Sequence, residues 1–357
     1  MHLGTATAEP GEFARGYLDV TDLPTGTPER LPVIIAEGEN AGRTLWVTAA
    51  IHGDEVTGMA AALDVMDEGL PEELAGTVVC LPTLNPAGLR QTTRHSSYHD
   101  QDPNRHFPDA DAESTRPPKV QELIDERIYD RFADSADALL DLHTATVGSV
   151  PFVIRDRVLY GDRRDEDEAE ALATDLSALV DALELPVINE YAAEEYTEQN
   201  LQRSTAGAAL NEAGIPACTL ELGSHSVVEE NNRAAGVAAV YRAMVELEML
   251  DGVPDRATGP AIDAPVEFPV NRHLGPHTDT AGIVRHRVDA GDVFEEGDPI
   301  ADVVTANGQH RTTVEAEHDG FVLGRWEGVA VYENDHLTSL AIRDDGDLVV
   351  PRDPDDS

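Results

Sequence analysis

This chain of 357 residues has only two cysteines, one lysine (Lys119) and 5% aromatic residues. Cys80 and Cys218 stand far apart, each among apolar neighbours. That excludes a disulfide framework and fits two buried thiols in a reducing compartment. Positive charge is scarce, with 25 Lys+Arg against 69 Asp+Glu and a formal net charge of −44. Nucleic acid is excluded as a partner, because binding its backbone needs clustered cations, and an anionic bilayer repels such a surface. Long apolar runs are missing too. Segments such as residues 45–51 fall far short of the roughly 20 residues that span a membrane. Residues 1–10 lack the basic start and apolar stretch of a signal peptide. The expected location is the cytoplasm.

Hydrophobic residues make up 41% of the chain and are spread along it, which argues for a folded protein despite the charge. Self-repulsion at this net charge weakens a compact state in dilute salt, whereas at about 1 M salt the Debye length falls to about 3 Å. The acidity is therefore read as halophilic, a mark of habitat and not of a cationic partner. A thermal melting series should give a higher Tm in molar potassium chloride than in dilute buffer; the reverse order removes this reading.

At roughly 150 residues per domain, the length suggests two domains. Strand-like apolar runs at residues 33–36 and 45–51 flank a Gly-Glu-Asn-Ala-Gly turn and read as a hairpin. Further strands are expected at 76–82, 138–142 and 216–220, and helices at 56–66, 117–133, 166–183 and 231–249. Short buried strands alternating with helices indicate an α/β layer fold with a largely parallel sheet. Beyond residues 252–265 the pattern changes to short β segments punctuated by glycine, suggesting a small sandwich- or barrel-like module. The expected divisions are 1–252 for the main domain, 265–345 for the β-rich domain and 346–357 for a frayed acidic tail. The stretch Gly-Asp-Val-x-x-x-Gly-Asp-Pro-Ile at 291–300 resembles biotinyl/lipoyl-type hairpins, but the module has no lysine to modify, so a carrier role is excluded.

The chemistry-bearing residues fall at the ends of these runs. In Ala50-Ile51-His52-Gly53-Asp54-Glu55 an apolar strand runs out at an imidazole, and a carboxylate opens the next helix. Sites of α/β proteins are built at such carboxyl edges. Alone, the spacing also fits a turn with a helix-capping acid. His143 ends a second apolar strand, and with it the set becomes His-Glu-His, a donor type that suits zinc with a water in the fourth position. Asp54 and Asp141 are candidates to orient the two imidazoles. Arg94 can stabilise a developing oxyanion or make a surface ion pair. Asn104 and Arg105 can fork onto a carboxylate or hold a loop. Glu221 lies within the apolar strand Thr-Leu-Glu-Leu-Gly, where burial raises a carboxyl's pKa and favours general-base work; the alternative is a strand-end acid facing solvent.

In order along the chain, His52-x-x-Glu55, Arg94, Asn104-Arg105, His143 and Glu221 resemble the succinylglutamate desuccinylase/aspartoacylase family, over about residues 30–250. The resemblance implies a zinc-carboxypeptidase-like fold: a mixed, largely parallel sheet flanked by helices, with a small C-terminal β-rich, barrel-sandwich-like domain. It implies one zinc ion held by His52, Glu55 and His143, Glu221 as base, Arg94 at the oxyanion, and Asn104 and Arg105 on a substrate carboxylate. Tyr332 is the candidate for a substrate-facing tyrosine and Arg203 for a second carboxylate-binding arginine. The implied activity is hydrolysis of the amide of a small N-acyl amino acid. The competing expectations are a carboxypeptidase acting on peptide C-termini and a non-catalytic binding protein that keeps the fold.

Overall fold

The most apolar runs of the chain form the centre of a twelve-stranded mixed sheet in a computed structural model, which describes residues 1–98, 101–109, 116–161, 163–326 and 328–353. Strand Asn40–Ala49 lies between Ala75–Leu81 and Ala138–Ala145 and runs parallel to both. Ala217–Ser224 follows, parallel to Ala138–Ala145. Leu45, Val47, Leu140, Leu142 and Leu220 have no exposed surface, as expected of parallel strands covered by helices on both faces. Helix Val56–Val65 packs on the Ala138–Ala145 strand and on helix Glu230–Glu246, while Val120–Ser135 packs on Thr205–Asn211. The four long helices start and end within a few residues of their expected bounds, because their apolar faces repeat at helical spacing.

The expected hairpin does not form. Pro28–Glu37 and Asn40–Ala49 are consecutive in sequence, yet Ala75–Leu81 inserts between them and pairs with both: Cys80 registers against Ile34 on one side and Val47 on the other. The inserted strand buries both of its faces, which a two-stranded hairpin would leave open.

Beyond Ala217–Ser224 the sheet changes direction. Phe152–Arg155 pairs with it antiparallel, placing Phe152 opposite Glu221. Val187–Asn189 and then Val270–His277 continue parallel to Phe152–Arg155. His336–Arg343, Gly320–Arg325 and Val293–Phe294 extend the same sheet antiparallel. Strands Gly282–His286, Pro299–Val304, His310–Glu315 and Ala330–Val331 form a separate four-stranded sheet, whose Val284, Ala301, Val303, Val314 and Val331 pack with Leu337 of the main sheet as a small core. The result is the mixed, helix-flanked sheet with β-rich C-terminal strands that the sequence predicts, and it contains no closed barrel among the described residues. Part of the tail is not frayed: Val349–Pro351 pairs parallel to Val158–Tyr160. Residues 354–357 lie outside the described residues. No helix among the described residues is long and apolar enough to cross a membrane.

Candidate active site

Where Asn40–Ala49 ends, Ala50 takes a φ of +46°, a left-handed conformation that side-chain-bearing residues seldom adopt and that marks strained, functional turns. The chain thereby leaves the sheet and brings His52 to its edge. Gly53 is required by close approach: a Cβ there would sit 2.1 Å from the backbone of Gly88. Glu55 precedes helix Val56–Val65, but its side chain makes no capping bond, so the capping alternative is set aside. Its carboxylate faces the two imidazoles instead. His52 Nδ1 lies 2.7 Å from Glu55 Oε1, and His143 Nδ1 lies 2.7 Å from Oε2. The two rings stand 5.1 Å apart at 70°. Donor atoms of His52, Glu55 and His143 all lie within 4.8 Å of one another, and all three residues are buried. Two ring nitrogens and a carboxylate oxygen converging in this way fit one divalent cation.

Each ring turns its other nitrogen outward to a carboxylate, the arrangement that fixes tautomer and orientation in metal-binding histidines. His143 Nε2 meets Asp141 Oδ2 at 2.7 Å, and Thr48 Oγ1 donates to the other oxygen of Asp141 at 2.7 Å. His52 Nε2 meets Asp102 at 2.9 Å. The expectation for Asp141 matches this geometry. For Asp54 it does not: Asp54 points toward His225, 4.0 Å away, because the tight turn sends adjacent side chains to opposite sides. Asp102, which opens the Asp-Pro-Asn-Arg run, takes that place. Burial raises the Glu55 carboxyl, but the facing His52 and His143 rings outweigh it and hold the group well below the ordinary carboxylate range. At Asp102, burial is likewise overcome by His52 and Arg94, which hold its carboxyl far below that range.

Glu221 sits beside this set. It registers against His143 across two parallel strands, is 7% exposed, and its Oε2 has no hydrogen-bond partner. The solvent-facing alternative is therefore ruled out. Burial raises its carboxyl above the ordinary range, partly opposed by His143. Gly223 follows with φ of +86°, and a Cβ there would meet Glu229 Oε2 at 1.9 Å, so glycine alone permits the turn out of the strand.

His52, Glu55, His143, Glu221, Arg94, Asn104 and Arg105 all line one cavity of about 430 Å³, a size suited to a small molecule. Arg94 donates to Glu55 at 3.1 Å and to Asp102 at 2.9 Å. Asn104 accepts from Thr205 N at 2.8 Å and from its hydroxyl at 3.0 Å, which anchors the loop carrying Arg105. Tyr332 and Arg203 are not among the lining residues. Tyr332 is 71% exposed, and Arg203 is spent on the Phe107 carbonyl at 3.1 Å. Sequence reasoning missed Asp156, Glu190, Arg272 and Trp326, which also line the cavity. No local motif marks these four; they arrive through the pairing of distant strands.

Fold and site together define a mixed-sheet α/β protein with a buried His-Glu-His donor set in a small-molecule cleft. The chain belongs to the succinylglutamate desuccinylase/aspartoacylase family: the model of that family's catalytic domain matches residues 41–247. The family is one of hydrolytic deacylases. Several solved structures share the fold. A succinylglutamate desuccinylase from Silicibacter sp. TM1040 is 18% identical, with a TM-score of 0.71 over 96% of this chain and 100% of that one. The product-bound ectoine utilization protein EutE (DoeB) from Ruegeria pomeroyi is 19% identical, with a TM-score of 0.73 over 96% and 100%. A succinylglutamate desuccinylase/aspartoacylase from Rhodobacter sphaeroides is 19% identical, with a TM-score of 0.72 over 94% and 96%. No curated protein matches the chain in sequence.

Proposed function

We propose that this chain is a zinc-dependent hydrolase cleaving the amide bond of a small N-acyl amino acid. The observation that carries the proposal is the convergence of His52, Glu55 and His143 beside the buried, unpartnered carboxylate of Glu221 in one cavity. Zinc bound by those three residues would polarise the amide carbonyl and lower the pKa of water from 15.7 toward about 7. Asp141 and Asp102 hold the two imidazoles with Nδ1 turned inward. Glu221 accepts the proton of the attacking water and returns it to the nitrogen of the leaving amine. Arg94 offers charge-assisted donors to the oxygen on which negative charge develops. Arg105, on the loop anchored by Asn104, takes the substrate carboxylate and fixes orientation.

C-terminal residues favour a small substrate over a peptide. Arg272, Leu274, Trp326 and Ser339 line the cavity together with the main-domain residues, narrowing the space in which a polypeptide would lie. The test is a hydrolysis screen in molar potassium chloride, with metal content measured on the same samples. N-acetyl and N-succinyl amino acids should be hydrolysed by metal-loaded protein, and chelation should stop the reaction. Cleavage of peptide C-termini at comparable kcat/KM would indicate a carboxypeptidase. Metal-free protein inert toward every compound, even after zinc is supplied, would indicate a binding protein.

A further inference from the structure

Chain from the C-terminal end reaches the loop that carries Arg105. Strand Val349–Pro351 pairs with Val158–Tyr160, with Val350 opposite Leu159. Its approach is pinned by Arg157, a buried guanidinium that donates to Asp344 at 3.1 Å and to the Asp347 carbonyl at 3.0 Å. Val350 packs with Leu159, Tyr191, Tyr196 and Leu201, and Leu201 lines the cavity. Leaving the strand, Arg352 donates its backbone N–H to the Tyr160 carbonyl at 2.8 Å. Its side chain then bridges two acids. Nη1 meets Asp109 at 3.0 Å, and Nη2 meets Glu212 just beyond helix Thr205–Asn211.

Asp109 follows Arg105 closely, within about 14 Å of it along the chain. The loop between them is tied to one short stretch of the main domain. Asn104 accepts twice from Thr205. Phe107 N donates to the Arg203 carbonyl at 3.1 Å, and Arg203 Nε donates to the Phe107 carbonyl at 3.1 Å. Asp109 accepts from Gln202 at 3.2 Å. Arg352 adds a tie from a different part of the chain. The side chains of Asp109 and Glu212 are 5% and 2% exposed and that of Arg352 is 15% exposed, so molar salt screens this bridge far less than a surface pair. Arginine suits it, because two N–H groups of one planar fork reach two carboxylates, whereas lysine offers a single point charge. Removing that cation leaves two nearly buried acids less compensated, which is costly. Glu212 is also held by Arg163 at 3.0 Å; Asp109 is the member that belongs to the loop.

We infer that Arg352 is a positioning residue: it straps the loop carrying Arg105 to the C-terminal strand, and so sets the affinity for the substrate carboxylate from outside the cavity. Arg352, Asp109 and Glu212 are not among the lining residues, so the effect passes through the loop and not through contact with substrate. This inference rests on the deacylase reading above, in which Arg105 takes that carboxylate. Misplacing a substrate-holding group by about 1 Å can cost about 100-fold. With Asn104 still tied to Thr205, partial loosening should cost about tenfold. The carboxylate takes no part in bond breaking and is held alike in the ground state and the transition state. The loss should therefore appear in KM, with kcat nearly unchanged.

Two measurements on metal-loaded, full-length protein in molar potassium chloride test this. The first is steady-state kinetics with the N-acetyl amino acid that wild-type protein hydrolyses fastest. Arg352→Ala should raise KM about tenfold, with kcat within about twofold of wild type and metal content unchanged. Arg352→Lys should fall between the two, and it carries the comparison if the alanine variant does not fold. Asp109→Asn should raise KM as Arg352→Ala does, and the double variant no further than either alone. Glu212→Gln leaves the loop contact in place, so it should lower the melting temperature but keep KM within about twofold of wild type. The second measurement is hydrogen exchange of the amides of residues 103–109, which should quicken in Arg352→Ala without reference to turnover. An unchanged KM in Arg352→Ala, or a rise in Glu212→Gln equal to that in Asp109→Asn, overturns the strap and leaves the deacylase reading standing. Wild-type protein that hydrolyses no N-acyl amino acid overturns that reading instead. Exchange then decides the strap: quickened exchange in Arg352→Ala retains it, and unchanged exchange removes it too.

Discussion

Glu221→Gln is expected to reduce kcat by about 10³-fold or more, toward the upper end of what general acid–base catalysis contributes, while the protein still binds one metal ion. Glutamine has the shape of glutamate, so the strand Ala217–Ser224 and its register against His143 should persist. What is lost is the ability to accept a proton. The wild-type carboxylate is suited to that task because burial raises it above the ordinary carboxylate range and its Oε2 is left without a partner. Glu221 is not among the three residues whose donor atoms converge, so metal content and chemistry should separate in this variant. Metal stoichiometry measured alongside single-turnover hydrolysis checks the prediction. Turnover near the wild-type rate would show that another group takes the proton. Loss of metal together with activity would show that Glu221 acts as a ligand.

The residues that converge here are legible in the sequence for a physical reason. Polar groups at the ends of apolar strands, or inside one, are costly unless something uses them, so His52, His143 and Glu221 stand out from their neighbours in the linear chain. Glu55 does so through its spacing from His52. Strand order is less accessible. Residues 33–36 and 45–51 carry an ordinary hairpin pattern, and nothing local announces that Ala75–Leu81 separates them. The same limit hides Asp156, Glu190 and Arg272. Their adjacency depends on the register of three strands more than 100 residues apart at the extremes, and no one of the segments looks unusual alone. Tyr332 and Arg203 have suitable chemistry, but side-chain type carries no information on position, and neither lines the cavity. Asp102 is one acid among many in so acidic a chain, and its role depends on the loop folding back over His52.

C-terminal strands add a wall to the cavity. Because Val270–His277 joins the main sheet through Val187–Asn189, Arg272 comes up beside Glu190, and Leu274 also lines the cavity, both from outside the segment that matches the family model. The cavity is thus built from more than the segment that matches the family model. The donor set and Glu221 lie within residues 41–247, whereas a wall of the cavity is added later in sequence.

His143→Ala is expected to lose both metal and activity, and to lower stability as well. The ring contributes one of three converging donors, and two protein ligands seldom retain a catalytic ion that normally has three. Removing it also strands two buried carboxylates: Glu55 Oε2 and Asp141 Oδ2 each lose a partner at 2.7 Å. Breaking a buried pair by deleting one member costs about 3–5 kcal/mol, because the remaining charge is uncompensated. Melting temperature should therefore fall in metal-free protein, where no bound ion obscures the comparison. Asp141→Asn provides the control, since it keeps the ring but weakens its orientation, and outer-shell changes of this kind cost about 10–100-fold in metal affinity or activity. The expected order of metal retention is wild type, then Asp141→Asn, then His143→Ala with almost none. A His143→Ala protein that still carries one equivalent of zinc and hydrolyses substrate would mean the cation is bound elsewhere, and the geometry at the sheet edge would then need another explanation.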